Sequence, residues 1–136
     1  MLASRLMTEE QVEYFEHMIY LPMLLTILER DLKHIDAMSV KFKAPYLAVV
    51  KRATDNIHND LKDIHQYFNR NRMKLINEGN DGNFANYLFI VGPERYQRRY
   101  MNFRLRNHSE ELLEIYLMGG SVRNGDIKHL TKERAN

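Results

Sequence analysis

From residue 78 the chain reads Glu78-Gly79-Asn80-Asp81-Gly82-Asn83, and at this cluster of turn formers it changes its period. Glycine takes positive φ without steric penalty, and Asn and Asp side chains bond to backbone amides two residues on, so such a run reverses the chain. It separates the short apolar run Met73–Ile76 from Phe84–Val91, a segment rich in aromatic and β-branched residues. The pattern predicts a β-hairpin with a loop longer than two residues. Gly92-Pro93 reads as a second turn. Tyr96 to Phe103 then forms a third strand, with Tyr96, Arg98 and Tyr100 on one face and Gln97, Arg99 and Met101 on the other. The same stretch also fits a helix, because Tyr96, Tyr100 and Phe103 share a helical face. That choice decides which arginines point together.

Before the cluster the period is helical. Thr8-Glu9-Glu10-Gln11 reads as a capping box, with the Thr8 hydroxyl accepting from the Gln11 amide while the Gln11 side chain reaches back. A helix follows over Thr8 to Tyr20. Pro22 lacks a donor and crowds the turn before it, so the helix is expected to kink or restart there and to continue over Met23 to Asp36. Pro45 suits a first helical turn. From there Tyr46, Val50, Ala53, Ile57, Leu61, Ile64 and Phe68 step by three and four, an amphipathic helix over Pro45 to Asn69 that packs antiparallel on the first.

After the hairpin, Asn102 is the expected N-cap of a last helix carrying Leu105, Leu112, Leu113, Ile115 and Tyr116, and Gly119-Gly120 ends it. The fold class is therefore α+β and mainly α. It comprises an antiparallel helical pair with its first helix broken at Pro22, a two- to three-stranded antiparallel sheet and a C-terminal helix. Residues 1–120 form one domain, and 121–136, which lack apolar periodicity, form a mobile basic tail.

With 136 residues, 44% of them hydrophobic and 28% charged, the chain has the content for one folded core without staples. It has no Cys, which excludes a disulfide framework, a thiolate metal site and a Cys nucleophile. The N-terminal residues show no secretory h-region, and the longest apolar run, Ile19 to Leu28, is too short to cross a bilayer. A cytoplasmic location is expected.

Motifs that carry chemistry are scarce. The chain has no phosphate-binding glycine loop, dinucleotide fingerprint, HExxH or Gly-x-Ser-x-Gly. Asp31 with His34 and Asp55 with His58 place a carboxylate and an imidazole on one helix face, but no further inward carboxylates complete a site. His58 and His65 lie two turns apart with Leu61 and Lys62 between them. His108-Ser109 is a sequence neighbour pair, read as solvated residues at a helix start. No cofactor, metal or small-molecule substrate is called for.

The sharper feature is electrostatic. Arg95, Arg98, Arg99, Arg104 and Arg106 stand against Glu94 alone, in a chain whose net charge is only +2. Arginine forks match phosphate and carboxylate, and the interleaved Tyr96, Tyr100 and Phe103 offer stacking surfaces. Equally, the aromatics can be core, with the arginines paired to acids of this chain or a partner. A second feature is Leu21, Met23, Leu24, Leu25 and Leu28, apolar on nearly all sides and read as a subunit interface or a core helix.

Two stretches, Ile19-Tyr20-Leu21-Pro22-Met23-Leu24-Leu25-Thr26-Ile27-Leu28-Glu29-Arg30-Asp31 and Asn86-Tyr87-Leu88-Phe89-Ile90, continue into Arg99-Tyr100-Met101-Asn102-Phe103-Arg104-Leu105-Arg106-Asn107 and Glu110-Glu111-Leu112-Leu113. Together they resemble the small YhjD-type sporulation-associated proteins of spore-forming Firmicutes, in order from about Tyr14 to Leu117. The resemblance implies a cytoplasmic protein of a sporulating Gram-positive bacterium. It consists of packing and strand patterns, so it hands no residue a catalytic role.

The sequence thus points first to a non-enzymatic binding or adaptor protein that acts through protein contacts, self-association through Leu21–Leu28 included. The alternative is a nucleic-acid-binding accessory factor using the Arg95–Arg106 stretch. A metal-dependent enzyme on the Asp-x-x-His pairs is the third reading.

Overall fold

The capping box forms as the sequence predicts: Thr8 Oγ1 accepts from the Gln11 amide and Gln11 Oε1 accepts from the Thr8 amide, each at 3.0 Å. It starts the first helix of a computed structural model that describes residues 6–122. The elements run α1 (Glu9–Ala37), α2 (Ala44–Arg70), β1 (Met73–Asn80), β2 (Phe84–Val91), β3 (Glu94–Met101) and α3 (Asn102–Leu117).

The break expected at Pro22 does not occur, and α1 runs through it without restarting. Pro22 is exposed, so the acceptor it leaves without a donor one turn earlier lies on the side that water reaches. On the opposite side Leu21, Leu24 and Leu28 are fully buried. Each contributes about 1.5–3 kcal/mol, and together they outweigh the roughly 3 kcal/mol of an interior proline.

The predicted stripe of α2 is the packed one: Val50, Ala53, Ile57, Leu61, Ile64 and Phe68 are buried, while Tyr46, its first member, stays 55% exposed. Near its C-terminus α2 meets the start of α1. Tyr14 stacks on Tyr67 with centroids 3.6 Å apart, and Phe15 meets Phe68 edge-on at 5.2 Å. The two helices are therefore antiparallel. The Tyr67 hydroxyl donates to Glu10, and burial followed by that carboxylate pushes its pKa up to about 12.

The hairpin forms with β1 longer than expected, because Glu78 to Asn80 stay in the strand. A register shift between Asn77 and Gly79, with Gly79 at φ 103°, absorbs the extra residue as a bulge. The loop proper is Asp81-Gly82-Asn83, tied by the Asp81 carboxylate, which accepts from the amides of Asn83 and Phe84. Gly92-Pro93 joins β2 to β3 with Gly92 at φ 57°, the glycine-first pattern of a tight two-residue hairpin. The third segment is a strand, and the rival helical reading of Tyr96–Phe103 holds only from Asn102 onward.

The sheet order is β1-β2-β3, all antiparallel. All three helices pack on one side of it. Ala85, Tyr87 and Phe89 join the buried cluster, with Leu75, Val91, Tyr96 and Tyr100 against it. At the centre Phe15 of α1 stacks on Phe89 of β2, with centroids 4.2 Å apart and planes 6° from parallel.

Two expectations at α3 are corrected. Met101, not Asn102, is the N-cap, and Asn102 pairs its side-chain amide reciprocally with that of Asn80 at 2.7 and 3.0 Å. The C-terminus closes as a Schellman turn: the Gly120 amide donates to Ile115 and the Gly119 amide to Tyr116, with Gly119 at φ 93°. The chain then packs for two more residues. Ser121 and Val122, assigned to the tail by sequence, are buried. The rest of that predicted tail, 123–136, lies outside the described residues.

Candidate functional site

Side chains on a strand alternate between faces, so the register fixes what the sheet shows on the side without helices. One cross-strand row is Lys74–Ile90–Arg95, the next is Ile76–Leu88–Gln97, and beyond them Asn86 faces Arg99 and Phe84 faces Met101. Phe84, Leu88 and Ile90 belong neither to the core cluster nor to the residues packed against it. Ile76 and Met101 are 39% and 36% exposed. Lys74 and Arg95 are exposed and make no ion pair among the described residues. This outer face is thus an apolar centre flanked by two free cations, and among the described residues nothing packs over it.

Arg99 shares that face but is engaged. It donates to Asp81 at 3.1 Å and to Asn86 at 3.2 Å, and its guanidinium lies 4.1 Å from the Phe84 ring centroid. Amides of Phe84 and Asn83, then Arg99, hold the Asp81 carboxyl below the usual range.

The other members of the predicted basic and aromatic patch lie elsewhere. Tyr96, Arg98 and Tyr100 turn toward the helices, as the alternation predicted. Arg98 lies 5.9 Å from the Phe89 ring centroid and 5.8 Å from that of Tyr96. The Tyr100 hydroxyl donates to Glu16 of α1 at 2.9 Å. Burial and the Glu16 carboxylate raise the Tyr100 pKa, and burial raises that of Glu16 in turn. Arg104 and Arg106 are exposed on α3. The five arginines therefore occupy three surfaces and make no single phosphate-binding stripe.

The predicted apolar interface is also divided. Leu21, Leu24 and Leu28 are at most 1% exposed inside the chain's own core and cannot reach a partner; Met23 and Leu25 are half-buried. The all-round apolarity of this stretch reflects contacts with several elements of the same chain. His34, Asp55, His58 and His65 are exposed on helix flanks and Asp31 is half-buried. Among the described residues no three His, Asp or Glu side chains converge as a metal site. His108 and Ser109 are buried rather than solvated. The His108 ring meets Tyr20 edge-on at 4.6 Å, and the Ser109 hydroxyl points to Met23 Sδ at 3.8 Å, so they form no nucleophile–base pair.

Two features escaped the sequence. One is a cleft of about 850 Å³ on the helix side of the sheet, between α1, α3 and the far end of the β1–β2 hairpin. Met23 and Ile27 line it from α1, Leu105 and Leu113 from α3, and Tyr87 from β2. The other is a buried polar knot. The Asp60 carboxylate of α2 accepts from the Tyr116 and Ser121 hydroxyls, and the Val122 amide donates to the Tyr116 oxygen. An acid three residues after Ile57, on the packed stripe of α2, was the available signal for the knot.

Among the described residues no helix is long and apolar enough to cross a membrane. No solved structure matches the chain. A protein of Bacillus subtilis (strain 168) named "Uncharacterized protein YhjD" is 29% identical over 109 residues, which cover 80% of this chain and 91% of that protein. The family model described as "YhjD protein" matches residues 6–121, from before α1 to the first residue of the buried C-terminal segment. With the matched span taking in every described helix and strand, the chain belongs to the YhjD family.

Proposed function

We propose that this chain is a cytoplasmic, non-enzymatic adaptor that docks an acidic protein partner on the open face of its sheet. The observation that carries the reading is the row Lys74–Ile90–Arg95, two unpaired cations on either side of an apolar residue, next to Ile76 and Leu88. An apolar centre with a charged rim is the anatomy of a protein interface, and rim cations select partners by charge more than they add affinity. Self-association belongs to this face rather than to Leu21–Leu28, whose buried leucines cannot reach a second copy. The dispersal of the arginines withdraws the main support for the nucleic-acid alternative. The sporulation association implied by the sequence resemblance belongs to the same proposal.

The test is affinity capture from lysate with wild type and a Leu88→Glu/Ile90→Glu double variant, alongside light scattering. A partner retained by wild type and lost by the variant, with helix content unchanged, supports the adaptor reading. A strict monomer that retains nothing overturns it. A reporter fusion followed through growth and spore formation tests the remaining element, and constant expression in both phases counts against it.

A further inference from the structure

The cleft on the helix side of the sheet is a separate surface from the docking face. Its volume of about 850 Å³ lies in the range of small-ligand sites. Its walls are apolar, formed mainly by Met23, Ile27, Leu105 and Leu113, and Ile27 keeps 38% of its surface exposed because no described residue fills the space in front of it.

One polar group lining the cleft has no partner among the described residues. Tyr87 is only 7% exposed, yet its hydroxyl makes no hydrogen bond among the described residues, and burial alone raises its pKa. Elsewhere on the helix side hydroxyls are bonded within the chain: Tyr116 and Ser121 to Asp60, Tyr100 to Glu16. The Tyr87 ring is buried while its oxygen is not sealed off from the cleft, so the unused donor is open to an acceptor supplied from outside. At the rim, Arg106 of α3 also lines the cleft and makes no ion pair among the described residues. Glu110, one turn along, lines it too and is equally unpaired. The neighbouring amides are occupied: Asn77 Oδ1 accepts from Gly79, and Asn80 and Asn102 bond each other.

We propose that this cleft binds a small amphiphilic monocarboxylate, its apolar body against Met23, Ile27, Leu105 and Leu113 and its carboxylate taking bonds from the Tyr87 hydroxyl and the Arg106 guanidinium. Glu110 opposes an anion and limits the affinity. A flexible arginine can close on a bound carboxylate, whereas the tyrosine is held in place by burial, so Tyr87 sets position and Arg106 sets charge preference.

The probe is displacement of anilinonaphthalene sulfonate fluorescence by decanoate and by methyl decanoate, with the full chain. The ester keeps the chain and the carbonyl but removes the charge. Decanoate is expected to displace the dye at a concentration roughly tenfold lower than the ester needs. Tyr87→Phe and Arg106→Gln should each weaken decanoate by about tenfold, with ester displacement unchanged in the arginine variant. Glu110→Gln should tighten decanoate a few-fold. Ile27→Trp, which fills the cleft, should abolish displacement by both, and thermal unfolding of each variant establishes that it is folded. Equal displacement by acid and ester, or indifference to Arg106→Gln in a folded variant, overturns the carboxylate assignment. Undiminished displacement in folded Ile27→Trp overturns the site. Because no substitution touches Lys74, Leu88, Ile90 or Arg95, failure here leaves the docking-face reading standing, and the converse holds.

Discussion

Leu88 and Phe89 are neighbours on the central strand, and they live in different solvents. Phe89 is fully buried, stacked on Phe15, while Leu88 sits half-buried on the face that no described helix covers. The two sides of this three-stranded sheet differ in more than burial. On the helix side several polar groups are closed into specific pairs, Tyr100 with Glu16 and Tyr116 with Asp60. On the open side the charges are either solvated, as at Lys74 and Arg95, or tied in an exposed pair, as at Arg99 with Asp81. Stability resides on the first side, because desolvated contacts hold the fold firmly; the proposed docking uses the second, where contacts stay exposed.

The largest expected effect separates those two neighbours. Phe89→Ala should destabilise the domain by about 3–5 kcal/mol through loss of buried area and the cavity left against Phe15. Leu88→Ala should change it by roughly 1 kcal/mol or less. Urea denaturation of both variants measures the gap, and comparable losses would mean that the outer face is covered after all.

Next comes the polar knot on the helix side. Asp60→Ala removes the acceptor shared by the Tyr116 and Ser121 hydroxyls in the core and should cost about 1.5–3 kcal/mol. Hydrogen exchange should show protection lost first around Tyr116 to Val122, and a uniform loss would argue that the knot does not pin that segment.

A smaller effect depends on pH. Burial raises the Glu16 pKa above its ordinary 4.5, so the folded state holds that proton more tightly than the unfolded chain does. Its contribution is fully present below the unfolded value and is lost as pH rises through the higher folded one. Glu16→Gln should therefore flatten the fall in stability between acidic and neutral pH. Parallel slopes in the denaturation midpoints of variant and wild type would refute this.

The smallest effect belongs to the open face. Arg99→Ala removes an exposed ion pair and should shift the denaturation midpoint least, with the shift vanishing in high salt. A large, salt-insensitive loss would instead show that the Phe84 contact beneath the guanidinium anchors the loop.

How much of this was legible varies by element, for physical reasons. The α2 stripe and the hairpin could be read because their signals are local: side-chain period in one, turn chemistry in the other. Pro22 misled because local cost was weighed without the leucines buried on the far side. Asn102 looked like a cap, but a partner from the hairpin loop, Asn80, took its side chain. The basic and aromatic stretch was visible as composition; its division over three surfaces was not, since it straddles the junction of β3 and α3.

By itself the sequence determined the class of the fold and the order of its elements up to Tyr96–Phe103, which it left open between strand and helix, because dihedral preferences and periodicity act over a few residues. Only the tertiary structure decided which face of the sheet the helices cover. It alone buried Leu21, Leu24 and Leu28, closed Asp60 on Tyr116 and Ser121, and left Tyr87 beside an open cleft. Those outcomes follow from contacts between residues as far apart in the chain as Glu16 and Tyr100, 84 positions, and desolvation depends on the whole packed environment rather than on any residue's neighbours in the chain.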